Sequence, residues 1–523
     1  MNEKHLTMIK ALARNSASRR DFLKYAGLST AALAAWPVFA EDDPAGPPKR
    51  GGHLRIGASG GASSDTLDAH NSLTNTDMPR AAQLYDPLVR LDRSGAPSLV
   101  LAEEITPNAL GTEWTIRLRE GVTTHAGKDF TANDVLFSFQ RILENKFPGA
   151  TSLGDIDLAN AKVMDPRTLR IPFKSPYAIF KSALTVPFFY MVPEGYDPMK
   201  PDGTGPFKLS SFTPGVQSVV ERFDGYWDGQ GAYLDSVETI NMADEATQVN
   251  ALRAGQVDMI DYLSYASVGV LRAAGAKVVI AKSGGWTPIT MRVDSAPLSD
   301  VRVRQALRLL VDRNQMNQIL FGGEGVIGND VFSIFDTMYD KSLPQRERDV
   351  DQAKSLLKQA GQSDLQIELI TNDVYASQPR TAQIYAAQAK EAGVDVKVSF
   401  QTGSQYFAQS YLQVPFSQDW WYYVPYLVTA SQATAAGAPF NATHFSDAEY
   451  DRLFKEAVAT TDIAKQTELA MAMQRIDYDR GGNIIPFFYP QIDACSPKVG
   501  GLGQAVSGLA MDNFNFKGFW INS

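Results

Sequence analysis

The feature that most constrains the fold is a stretch in which the hydrophobic period switches between that of a helix and that of a strand. Asp349 stands where it can cap a helix running to Gly361, and Leu365 to Thr371 then alternates as a strand. Arg380 to Ala392 returns to the helical period before Gly393, and Val394 to Phe400 alternates again. Helices and strands in close succession bury their apolar faces against each other, as a sheet covered by helices. The pattern predicts a Rossmann-like layered lobe in a mixed α/β chain. The N-terminal half is of the same class: His53 to Ala58 reads as the first strand, Thr112 to Arg119 alternates around Trp114, Ile116 and Leu118, and Thr131 to Leu143 reads as a helix. A further helix after Ser299 and Asp300 places Val303, Ala306, Leu307, Leu310 and Val311 on its buried side. Ser446-Asp447-Ala448-Glu449 forms a capping box that opens another. The alanine-rich patch from Thr429 to Ala438 reads as a surface loop.

The first forty residues have the layout of an export signal. Lys4, Lys10, Arg14, Arg19 and Arg20 form a basic region, Tyr25 to Phe39 an apolar stretch, and Ala40 the small residue before cleavage. The run Ser18-Arg19-Arg20-Asp21-Phe22-Leu23-Lys24 fits the twin-arginine pattern, which routes pre-folded proteins through a dedicated translocase. About fifteen apolar residues are too few to span a bilayer, which takes ~20. Cleavage after Ala40 leaves Glu41 at the N-terminus, with no cysteine there to carry a lipid, so a periplasmic protein that is exported, soluble and not lipid-anchored is expected. Cys495 is the only cysteine, so no intrachain disulfide is possible and stability must come from the core. About 480 mature residues, from a chain that is 44% hydrophobic, suffice for more than one core. Removing the six basic and two acidic residues of the signal takes the formal charge from -9 to -13, which argues against nucleic acid as a partner.

The inventory of catalytic chemistry is close to empty. Gly57-Ala58-Ser59-Gly60-Gly61 spells the nucleophile elbow of serine hydrolases and follows a strand, but Ala62 to Asp68 is small and polar where the elbow needs a helix. No two of the histidines (His5, His53, His70, His125, His444) lie four apart to present a metal pair on one helix face. No phosphate-cradling glycine loop is present, and nothing calls for a cofactor.

Six phrases in order carry a resemblance: Leu84-Tyr85-Asp86-Pro87-Leu88-Val89, Trp114 to Val122, His125-Ala126-Gly127-Lys128-Asp129-Phe130-Thr131-Ala132-Asn133-Asp134-Val135, Gly203-Thr204-Gly205-Pro206-Phe207, Phe223-Asp224-Gly225-Tyr226-Trp227, and Asp300 to Leu307. Together they resemble the large extracytoplasmic solute-binding proteins of ABC importers, the family of dipeptide, oligopeptide, opine and nickel-complex receptors. The resemblance implies two lobes joined by crossover strands. Lobe one would run over 51–293 with an inserted subdomain at 85–202, lobe two over 294–494, and 495–523 would return to lobe one after a flexible leader at 41–50. Its implied partners are a small organic solute (opine, sugar derivative or peptide) and the permease subunits in the inner membrane. Gly203 and Gly205 read as a structural turn in which glycine supplies backbone freedom.

Ligand contacts are expected from the aromatic cluster Trp420, Trp421, Tyr422, Tyr423 and Tyr426. Consecutive aromatic residues cannot all face inward on a strand of period two, so one face should be open for stacking. Peptide-binding relatives carry an aspartate in the corresponding segment for the peptide's amino group. After Trp420 and Trp421 this chain has Tyr422, Tyr423, Val424 and Pro425, with no acid. A buried ammonium would lack its counter-charge unless another carboxylate replaced it, so an opine or sugar-derived ligand is expected before a peptide. Arg380 matches a family arginine that can receive a ligand carboxylate. Trp286, after Gly284-Gly285, and Asn441 with His444 are placed near expected lobe edges. A metal-complex carrier and a serine hydrolase using Ser59 are the competing readings.

Overall fold

The computed structural model describes residues 45–522, so the export signal and its cleavage point lie outside the described residues. Three main sheets organise the chain. The largest has seven strands in the order Lys277–Ala281, Gln491–Cys495, Met259–Ile260, His53–Ser59, Ser236–Met242, Gln217–Arg222 and Phe207–Thr213. His53–Ser59 pairs in parallel with both of its neighbours. The second has five, in the order Asp395–Gln401, Gln366–Asn372, Phe416–Gln418, Ile289–Met291 and Asn483–Ile484. The third is an antiparallel sheet of four, Ala102–Pro107, Glu113–Leu118, Thr168–Pro172 and Lys162–Asp165, which lies within the expected insertion.

The chain passes from the seven-stranded to the five-stranded sheet between Ala281 and Ile289, and returns between Ile484 and Gln491. Both crossings come a few residues earlier than 293 and 494. Trp286, Phe487, Phe488 and Tyr489 are fully covered there, so apolar character runs on without a break at the border of the lobes. The described part of the leader is pinned. Ala45 is buried, Trp520 Nε1 donates to the Gly46 carbonyl at 3.2 Å, and Asn522 Nδ2 donates to that of Pro47 at 3.2 Å.

Local signals fix most helix starts. The Asp349 carboxylate accepts from Gln352 N and caps Val350–Gln359; that of Asp300 accepts from Arg302 N and caps Val301–Leu309. The helix Ala448–Ala459 is capped by Asp447, one residue later than the sequence box, because its carboxylate takes the N–H groups of both Glu449 and Tyr450. The alanine-rich patch is not a surface loop: Tyr426–Ala433 is a helix whose Leu427 to Ala430 are buried. Gln432 donates to Ser152 Oγ of the inserted subdomain at 2.9 Å, and small side chains let the two units close on each other.

The sequence phrases meet in one place. Gly205 N donates to the Leu84 carbonyl at 3.0 Å, His125 N to that of Gly203 at 2.8 Å, and Tyr226 and Trp227 both donate to the buried carboxylate of Asp86. The role of the glycines differs from the expected one. Neither has a positive φ; instead a Cβ on Gly203 would lie 2.2 Å from the Leu84 oxygen, and one on Gly205 would lie 2.4 Å from the Leu84 carbonyl carbon. Close backbone approach requires glycine here.

Candidate functional site

The aromatic segment does not lie on a half-exposed strand. It threads between the lobes, and each side of it meets a different core. Trp421, Tyr423 and Tyr426 are buried in the cluster shared by the inserted subdomain and lobe two, whereas Trp420 and Tyr422 also pack on that of lobe one. Trp421 and Trp286 exchange both backbone hydrogen bonds at 2.9 Å. Their rings stack at 5.6 Å, Trp286 stacks on Phe332 at 5.5 Å, and Phe332 on Tyr426 at 4.9 Å. This column cements the crossing, so Trp286, Trp421 and Tyr426 are core residues with no open face. Burial does alternate over Trp420 to Tyr423, with Trp420 and Tyr422 half-buried and Trp421 and Tyr423 buried.

Tyr422 and Tyr423 do reach a cavity. It is walled by Ala82 of lobe one, by Tyr85, Arg90, Thr185, Phe189 and Tyr190 of the insertion, and by Leu509, Asn513 and Phe514 of the C-terminal return. All three parts of the chain therefore contribute to its lining. One wall is unusual: Met511, Asp512, Asn513 and Phe514 all have φ between 53 and 60°, a left-handed turn without glycine. The Arg93 guanidinium holds the Asp512 carboxylate at 2.9 Å, Asn513 Nδ2 donates to the Leu91 carbonyl at 3.0 Å, and Met511 N donates to Asp493 at 2.8 Å. Strained backbone held by several anchors is the arrangement found at ligand sites.

An acid does stand in the aromatic segment, one residue before it. Asp419 is buried, accepts from Trp420 N at 2.8 Å and from Trp421 Nε1 at 2.9 Å, and burial pushes its carboxyl up to about 7. Its oxygens serve the segment itself. Two further acids lie in or beside adjacent interior strands of the seven-stranded sheet, near the crossing. Continuing the register Ile260 to Ala494 by one residue sets Asp261 opposite Asp493, and both are buried. Burial drives Asp493 up to about 6 and Asp261 well above the usual range, and the Asp493 carboxylate raises Asp261 further. The rings of Tyr262, Tyr375 and Tyr489 surround this pair, Tyr375 and Tyr489 stacking at 4.2 Å.

The remaining expected residues lie away from the cavity lining. Arg380 is exposed and donates to Gln383 at 3.3 Å on its own helix. Asn441 bonds the carbonyl of Phe445 within its loop. Both ring nitrogens of His444 are engaged, with Asp294 at 3.0 Å and the Leu412 carbonyl at 2.9 Å. Ser59 ends its strand, and no helix follows until Asp77–Leu84, so the hydrolase elbow is not formed. Among the described residues, no three His, Cys, Asp or Glu side chains gather to hold a metal ion, and no helix is long and apolar enough to cross a membrane. Sequence reasoning did not single out Asp261, Asp493 or Gln491, since polar residues in or beside short strands carry no motif of their own.

Comparison with known proteins agrees with this architecture. Residues 96–442 match the family described as bacterial extracellular solute-binding proteins, family 5 Middle. The glutathione-binding protein GsiB of Escherichia coli K12 is 24% identical over 530 residues, covering 97% of each chain. DppA from Helicobacter pylori in complex with the peptide STSA has a TM-score of 0.79 at 21% identity, covering 91% of this chain and 99% of that one. AgaA in complex with agropinic acid, from A. tumefaciens R10, has a TM-score of 0.78 at 23% identity, covering 90% and 99%. The two lobes, the insertion and the matched region together place the chain: it belongs to the family 5 bacterial extracellular solute-binding proteins, the solute receptors of ABC importers.

Proposed function

We propose that the solute captured by this receptor is an opine or another sugar-derived compound, held between the lobes and handed to the permease. The observation that carries the reading is the cavity in which Tyr422 and Tyr423 face Tyr85 and Tyr190 across the lobe contact. Rings with hydroxyl groups suit the C–H faces and hydroxyls of such compounds. The resemblance to AgaA, whose structure is a complex with agropinic acid, supports it. Closure would follow from contacts with both lobes, which shift the population toward the closed form. The Ser18 to Lys24 motif supports delivery to the periplasm by the twin-arginine translocase.

A peptide is the second reading. It is favoured by the buried carboxylates Asp261 and Asp493, which supply acid elsewhere than in the aromatic segment. A thermal-shift screen of the exported chain against opines, oligosaccharides and short peptides separates the two, since binding to the folded state raises the melting temperature by mass action. The first reading expects the largest shift from an opine or sugar derivative. A shift with ordinary dipeptides alone would refute it.

A further inference from the structure

Around Asp261 and Asp493 the hydrogen-bonding groups are unbalanced. Asp261 receives one side-chain donor, Gln248 Nε2 at 3.2 Å, and that amide is shared with the Gly57 carbonyl. The second oxygen of Asp261 has no partner, nor has the side-chain oxygen of Gln491, whose Nε2 donates to Asp493 at 2.9 Å. Asp261, Gln491 and Asp493 are exposed by only 1%, 2% and 3%. The groups acting on Asp493 are Gln491, the N–H groups of Met511 and Tyr262, and the further carboxylate of Asp512; none is a cation. Those acting on Asp261 include no lysine or arginine either.

The unmatched atoms of Asp261 and Gln491 are both oxygens. Two carboxylates opposite each other on paired strands repel, and a buried acid without a counter-ion is costly. An ammonium group offers three donors and a positive charge. The position is also right: the pair lies where the strand Met259–Ile260, parallel to His53–Ser59, ends beside the crossing strands, and such strand ends are where open α/β sheets bind ligands.

We infer that Asp261, Asp493 and Gln491 form a subsite for an organic ammonium group of the solute, in place of the acid that the segment after Trp421 lacks. The inference rests on the receptor reading and narrows it: an opine or amino sugar with a basic nitrogen fits, as does a peptide with a free N-terminus, whereas a neutral sugar does not.

Isothermal titration calorimetry of the exported chain tests it. The probes are reduced glutathione, the peptide Ser-Thr-Ser-Ala, the N-acetylated form of each, an amino sugar, an opine with a free secondary amine, agropinic acid and a neutral disaccharide. We expect binding to be confined to probes with a basic nitrogen and weakened at least about thirtyfold by N-acetylation. Asp261→Asn and Asp493→Asn should weaken it by at least about tenfold. Asparagine keeps an oxygen for Met511 N, and an unchanged melting temperature without probe verifies that each variant is folded. Equal affinity for free and acetylated forms, or asparagine variants that bind as well as the parent, overturns the subsite and leaves the receptor reading intact. Failure of every probe, charged or neutral, overturns both.

Discussion

At the scale of single residues, burial rather than motif decides which groups titrate unusually. Asp477 lies on the helix Ile463–Arg480, fully covered, accepting from Tyr426 Oη at 2.8 Å; burial drives its carboxyl up to about 7 against the help of that bond and of Arg308. An acid whose folded pKa lies above its unfolded value binds more protons when folded. Its contribution therefore favours the fold below about pH 4 and is lost as pH rises from about 4 to about 7. Asp477→Asn should remove this slope, by up to about 1.4 kcal/mol per pH unit, in urea unfolding between pH 4.5 and 7.5. Identical slopes in variant and parent would show that Asp477 is ionised throughout. The same scale explains what sequence could reveal. Gly203 and Gly205 stood out because only glycine lets two backbones approach within the Cβ distance seen at Leu84, although the reason read from sequence was dihedral freedom. Arg380 matched by alignment of phrases, yet its guanidinium faces solvent, since a first-turn helix position does not determine direction.

At the scale of elements, the regular ones were legible and the irregular ones were not. The helix Val350–Gln359 and the strands Gln366–Asn372 and Asp395–Gln401 fall within two residues of their expected positions, because a capping aspartate and a clean period report local structure. The aromatic segment Trp420 to Tyr426 alternates in burial only over Trp420 to Tyr423, and its two sides meet separate cores, which no sequence period announces. Nor does sequence announce the left-handed turn Met511 to Phe514, which costs about 1–2 kcal/mol per residue and persists only through its anchors. Removing one anchor should release it. Arg93→Met, which loses the hold on Asp512, is expected to speed amide exchange at Met511 to Asn515 with about 1 kcal/mol of global destabilisation, since the arginine is more than half exposed. Unchanged exchange there would mean that the tertiary packing of Phe514 and Met511 holds the turn unaided.

At the scale of the whole molecule, the design is two sheets joined by crossings at 282–288 and 485–490, with a cavity walled by both lobes and the insertion. The stacked column from Trp421 through Trp286 and Phe332 to Tyr426 packs one side of the crossing. Order of phrases along the chain was enough to expect two lobes and an insertion. The grouping of Asp261, Asp493 and Tyr375 was not legible, because these residues are far apart in sequence and meet only in the fold. The central claim, a receptor that closes on its solute, is most directly tested by small-angle X-ray scattering of the exported chain with and without the solute giving the largest melting shift. The account predicts a smaller radius of gyration with solute present; an unchanged or larger radius at saturating solute would contradict it.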